Sequence, residues 1–208
     1  MKPKVVPFRA VVLTPFYYHG LYAPDGAATH PDVISDTALC FALAYALGLP
    51  PTMGLRSKPD YGADLRALPW RASLALGSGN HNLGPVRHII DVEREGGYAV
   101  TMQKAMGSGL FKKTFYVHEV APGAEYQGIL YGPDPFTLDK EIIVRVGIGR
   151  LGLLRLEKAQ EMVDCRLNTA TALLFNQALA DEGRILDTIR LSRLYPIAIA
   201  GEILASWQ

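Results

Sequence analysis

The chain has 208 residues, 49% of them hydrophobic and 20% charged, with 21 Lys and Arg against 20 Asp and Glu. That composition belongs to a folded domain, and the formal net charge of +1 excludes a global basic field that would recruit nucleic acid. Cys40 and Cys165 stand far apart without CxxC spacing, so neither a zinc site nor a disulfide framework is expected.

Met1-Lys-Pro-Lys4 runs straight into a strand pattern, without the apolar core and small-residue cleavage site of a signal peptide. The longest apolar run, Ala38–Leu49, falls short of the ~20 residues that span a bilayer. A soluble cytoplasmic protein is the expectation. Val5–Phe16, rich in β-branched and aromatic residues, predicts an opening strand, followed by a turn-rich loop over Tyr17–Pro31. Ser35 or Asp36 can cap a helix over Thr37–Leu47, which Gly48 and Pro50-Pro51 stop. Leu39, Phe41, Leu43, Tyr45 and Leu47 leave that helix no polar stripe, so it should be sandwiched rather than laid on a surface.

Breakers crowd the next stretch, and residues 51–84 read as an irregular, loop-rich insertion with a short helix or strand. Strands are expected at Arg87–Glu93, Tyr98–Lys104, Lys113–Val120, Tyr126–Tyr131 and Glu141–Val146, with a hairpin turn at Glu95-Gly96-Gly97. A glycine loop, Gly147–Gly152, precedes an extended Leu153–Leu156. A helix over Asn168–Leu179 ends by Glu182-Gly183, and Arg184–Gln208 mixes strand and helix signals. One α+β domain over residues 1–208 accounts for this order.

The segment Val144–Lys158 carries the strongest chemical signal. Gly147, Gly149 and Gly152 allow positive φ and close backbone approach, and Arg145, Arg150, Arg155 and Lys158 are opposed only by Glu157. Backbone amides with guanidinium forks suit phosphate oxygens. The spacing also matches the dinucleotide fingerprint G-x-G-x-x-G, but that motif should open a helix, whereas Leu153–Leu156 looks extended. A plain glycine turn with solvent-facing arginines is the competing explanation.

A second candidate, Lys104–Lys113, resembles a hairpin tip with cations Lys104, Lys112 and Lys113 and apolar Met106, Leu110 and Phe111. A basic loop with an aromatic wedge can follow an RNA backbone and press on a displaced base; a solvated hairpin fits the same pattern. His19 lies beside Tyr17, Tyr18 and Tyr22, a set able to perform acid–base cleavage of RNA or simply to pack. No H-E-x-x-H, G-x-S-x-G or P-loop lysine occurs, and no metal or cofactor is expected.

The opening strand, the tyrosine-containing loop and Asp36-Thr-Ala-Leu-Cys-Phe-Ala-Leu-Ala-Tyr-Ala-Leu-Gly48 resemble the first βα unit of the CRISPR-associated Cas-five family, in the RAMP superfamily. Tyr131-Gly-Pro-Asp-Pro135 and Ile143–Gly152 resemble that family's glycine-rich segment, in versions like those of type I-D and type IV systems. The resemblance implies an RRM-like (ferredoxin-like) βαββαβ core with a thumb β-hairpin, placed by position at residues 98–120 with its tip at Lys104–Lys113. It implies a non-catalytic subunit of a Cascade-type effector complex that caps the five-prime handle of CRISPR RNA. Its partners would be the backbone subunit and the large subunit, with target DNA reached through the complex. Some relatives cut precursor RNA with tyrosine, lysine and histidine. A metal-independent endoribonuclease using His19 and a neighbouring tyrosine is therefore the alternative within the superfamily, and a nucleotide-binding enzyme using the glycine loop is the alternative outside it.

Overall fold

Val6, Phe8, Ala10 and Val12 alternate along one face of strand β1 (Lys4–Thr14), each at most 1% exposed. This period of two decides which side of the sheet becomes core. The structure, a computed structural model, describes residues 4–18, 21–23, 26–49, 60–91, 112–136, 141–148, 151–160 and 162–207. After β1 come β2 (Leu21–Ala23), β3 (Gly26–Ala28), β4 (Val33–Ile34), helix α1 (Asp36–Ala46) and helix α2 (Tyr61–Ala67). Next are β5 (Arg71–Ala72), β6 (Ala75–Leu76), β7 (Val86–Asp91), β8 (Lys112–His118), β9 (Glu125–Gly132), β10 (Glu141–Val146) and β11 (Gly152–Lys158). The last part adds β12 (Asp164–Asn168), helix α3 (Thr169–Leu174), β13 (Asp181–Leu186), β14 (Ile189–Pro196) and helix α4 (Ile197–Ala205).

The main sheet is antiparallel and runs β10-β11-β1-β9-β6-β4, with β5 also beside β9. Helix α1 packs on its core face against β10 and β5. Helix α4 covers the opposite face at the Val5 end, where a Cβ on Gly201 would sit 2.3 Å from Val5 Cγ2. A second sheet, β12-β14-β13, is antiparallel, and a third, β2-β3-β8-β7, is antiparallel except where β3 meets β8. The fold is α+β.

Several expectations shift. Within the stretch expected to be irregular with a short helix or strand, Tyr61–Ala67 is the helix, and Arg71–Ala72 and Ala75–Leu76 join the main sheet beside β9, where Trp70, Ala72, Leu74 and Ala75 are buried. Strand β7 pairs with β8 from Val86↔Val117 to Asp91↔Lys112, so the hairpin arms are 86–91 and 112–118 rather than flanks within 98–120. The strand expected at Tyr98–Lys104 and the turn Glu95-Gly96-Gly97 lie outside the described residues. Helix α3 stops at Leu174, since Asn176 takes a left-handed φ of 57° just past the Phe175 cap. Helix α1 is not sandwiched all round: Tyr45 is 48% and Leu47 39% exposed.

The joint between α1 and the second sheet is a buried polar knot. Asn168 Nδ2 donates to Asp36 Oδ1 at 2.8 Å and to the Thr188 carbonyl at 2.9 Å. Its Oδ1 accepts from the Ala170 amide at 3.2 Å, capping α3, and from the Arg190 amide at 3.1 Å. Every donor and acceptor of this buried amide is thereby satisfied, as burial demands. Burial pushes the Asp36 carboxyl above the usual carboxylate range, partly opposed by hydrogen bonds from Asn168 and Thr171.

Asn168→Ala would strand the Asp36 carboxylate and two amides, and should lower unfolding free energy in urea by about 3 kcal/mol. The Asp36 shift has a definite sign. The unfolded carboxyl ionises first, so the contribution of Asp36 to stability is largest below the ordinary carboxylate value and is lost as pH rises through it toward the raised folded value. Asp36→Asn should abolish that loss, and parallel urea titrations of both proteins across pH 3 to 8 check it.

Candidate nucleic-acid interface

Val146 pairs with Gly152 across β10 and β11, so the glycine segment connects two adjacent antiparallel strands. A dinucleotide fingerprint would need a helix N-terminus here to face the pyrophosphate, and a strand stands in its place. The glycines have a packing reason. Gly147 has φ +81°, and a Cβ on it would lie 3.0 Å from Phe16 Cβ and 3.1 Å from the Tyr17 carbonyl oxygen. A Cβ on Gly152 would sit 2.3 Å from Phe16 Cβ. The loop is pressed onto Phe16–Tyr17, where the Ile148 amide also donates to the Tyr17 carbonyl at 2.9 Å. Gly149 and Arg150 lie outside the described residues.

The described cations of this segment do not converge. Strand alternation puts Arg155 on the polar face of the main sheet and Lys158 on the other, far along β11. Lys158 Nζ lies 3.2 Å from Asp134 Oδ2, which Lys4 Nζ also meets at 2.7 Å. Arg155 Nε is 3.7 Å from Glu141 Oε2 and 3.9 Å from Glu157 Oε2. Glu157 also pairs with Arg9, which holds Glu125 as well. The guanidiniums of Arg9, Arg145 and Arg155 thus share a face with the carboxylates of Glu125, Glu141 and Glu157, and the charges balance. A polyanion gains little from such a face. Arg145 alone of the three has no carboxylate partner among the described residues.

Beside Arg145, the edge of β10 and helices α1 and α2 enclose a cleft of about 560 Å³. Its walls include Phe41, Tyr45, Tyr61, Asp64, Arg145 and Gly147. Phe41 meets Tyr61 edge to face, ring centroids 6.2 Å apart at 75°, and leaves the Tyr61 ring 68% exposed. Asp64 Oδ1 is shut off from solvent without a hydrogen-bond partner. The cleft combines aromatic side chains, a guanidinium without a carboxylate partner among the described residues and a carboxylate with one oxygen enclosed, within the ~300–1,000 Å³ range of small-ligand sites. A second, apolar cleft of about 700 Å³ shares Tyr18, Ala38, Phe41 and Tyr61 with it and extends to α3 and the β13–β14 turn.

The sequence points at Arg145 and Gly147 but misses the aromatic wall. Phe41 and Tyr45 are one turn apart on α1, which places them on one face. That face could not be singled out, because the helix is apolar on every side. Tyr61 had a usable signal in Asp60, whose side chain accepts from the Ala63 amide at 2.9 Å and starts α2.

Other candidates fare differently. His19, Lys104, Met106 and Phe111 lie outside the described residues, and of Lys112 and Lys113 only the strand backbone of β8 is described. Burial pushes the Tyr18 phenol up to about 12, which makes it a poor proton donor or acceptor near neutrality. Burial likewise raises the thiols of Cys40, with help from Asp36, and of Cys165 to about 12. Neither is a poised nucleophile. Among the described residues no cluster of three His, Cys, Asp or Glu could hold a metal ion, and no helix is long and apolar enough to cross a membrane. The chain matches no model of a known protein family and no curated protein.

Because Phe16 occupies the space a side chain would need, Gly152→Ala should destabilise the fold by about 2 kcal/mol, as overpacking does. Gly79→Ala, with φ +72° but open space, should cost only about 1 kcal/mol. Chemical denaturation of the two variants separates packing from backbone strain.

Proposed function

We propose that this chain is a non-catalytic RNA-binding subunit of a CRISPR effector complex, of the Cas-five family of RAMP proteins, holding the five-prime handle of CRISPR RNA. The observation that carries the RNA reading is the cleft between α1, α2 and β10, which both the exposed Tyr61 and Arg145 line. Single-stranded RNA is held by bases stacked on aromatic rings and phosphates met by guanidiniums, and a nearly neutral protein can do this with one local site.

Strand order supports the RRM-like part of the reading. A βαββαβ sheet sets its first strand between the third and fourth, with the second beyond the third. Here β1 lies between β9 and β11, β6 lies beyond β9, and α1 follows β1 in the chain. The departure is β10, a strand that occupies the chain position of the second helix. The β7–β8 hairpin, outside the main sheet, is the counterpart of the thumb. On this reading the complex's backbone and large subunits are the protein partners, in the cytoplasm, and target DNA is met only through the complex. The enclosed, weakly acidic Tyr18 phenol favours the scaffold over the endoribonuclease.

Arg145→Ala should weaken binding of a single-stranded repeat RNA about tenfold and make the log–log salt dependence shallower by about one. Lys158→Ala, whose ammonium already faces Asp134, should leave affinity unchanged. Fluorescence anisotropy over a salt series measures both. RNA recovered after incubation with the protein in EDTA should be uncut, and a defined cut would favour the nuclease instead.

A further inference from the structure

Asp64 is the one member of the cleft that a phosphate-binding role leaves unexplained, because its negative charge repels the backbone of a nucleic acid. Its Oδ1 is enclosed and, among the described residues, unpartnered, although the residue sits in the first turn of a short capped helix. An acceptor kept from water without a donor is a standing cost that a bound donor removes. A carboxylate in an aromatic cleft is matched by the edge of a planar ring that offers neighbouring N–H groups. Tyr61 supplies the open aromatic face for such a ring, and Arg145, across the same cleft, supplies the cation for the attached phosphate.

Resting on the RNA reading above, we infer that the cleft takes a single nucleotide and selects guanine. Among the four RNA bases, only guanine places two adjacent donors, N1–H and the N2 amino group, on its pairing edge, where both oxygens of Asp64 can accept them. Adenine and cytosine set one amino donor beside a ring acceptor, and uracil sets its N–H between two carbonyls, so each leaves a carboxylate oxygen facing an acceptor. Asp64 lines the cleft, and the base contact requires rotation about its Cβ–Cγ bond to bring Oδ1 out of its enclosed position. The ring stacks on Tyr61 and the phosphate lies toward Arg145.

The test compares an oligouridylate of about eight nucleotides, a length within the span of single-strand binders, with the same oligomer carrying one internal guanosine. Wild-type protein should bind the guanosine oligomer about tenfold more tightly, the discrimination one good bidentate base contact gives. Asp64→Asn should erase that difference, and Tyr61→Ala should weaken both probes together. Equal binding of the two oligomers by wild type, or a preference that survives in Asp64→Asn, overturns the guanine assignment while leaving RNA binding intact. Failure of wild type to bind either oligomer overturns the RNA reading itself and this inference with it.

Discussion

The pairing of β11 between β1 and β10 is the constraint from which the rest follows. With Leu154 and Leu156 turned into the core at 0% and 1% exposure, every odd-numbered side chain of β11 must face the other way. That fixes Arg155 among Glu141 and Glu157, sends Lys158 to Asp134, and sets Gly147 and Gly152 against Phe16 and Tyr17. A group of cations contiguous in sequence is thereby distributed over two faces of a sheet. Among the described residues, Arg145, on the edge strand and lining the cleft, is left without a carboxylate partner.

This arrangement reconciles a near-neutral chain with an RNA-binding role. The polar face of the sheet is laced by ion pairs that involve partly exposed groups, and such pairs add little stability while cancelling the field a polyanion would follow. The cleft works by another route, combining one guanidinium with ring faces that lose little entropy on stacking. The buried knot of Asp36 and Asn168 holds α1 by its N-terminus to the second sheet, and so fixes the helix that supplies Phe41 and Tyr45. Site geometry and fold stability are linked through that one amide.

Strands and helices with a strong period were legible in the sequence. The boundaries of β10 coincide with the expected Glu141–Val146, and β1, β9 and α1 fall within a residue or two of theirs. The strand character after the glycines was also readable, because Leu153–Leu156 precedes no helix cap, and it removes the dinucleotide reading. The place of residues 60–84 against the main sheet was not legible, because two-residue strands such as β5 and β6 carry no period and only tertiary pairing with β9 defines them. The cation cluster misled for a different reason. Proximity in sequence says nothing about which face a side chain takes until the strand register is known.

Photo-crosslinking of bound single-stranded RNA, with the attached peptides mapped by mass spectrometry, tests the central claim most directly. Adducts concentrated on Tyr61, with Phe41 or Tyr45 beside it, are the result this account predicts. Adducts confined to the second sheet, around Tyr195 and the β13–β14 hairpin, would contradict it.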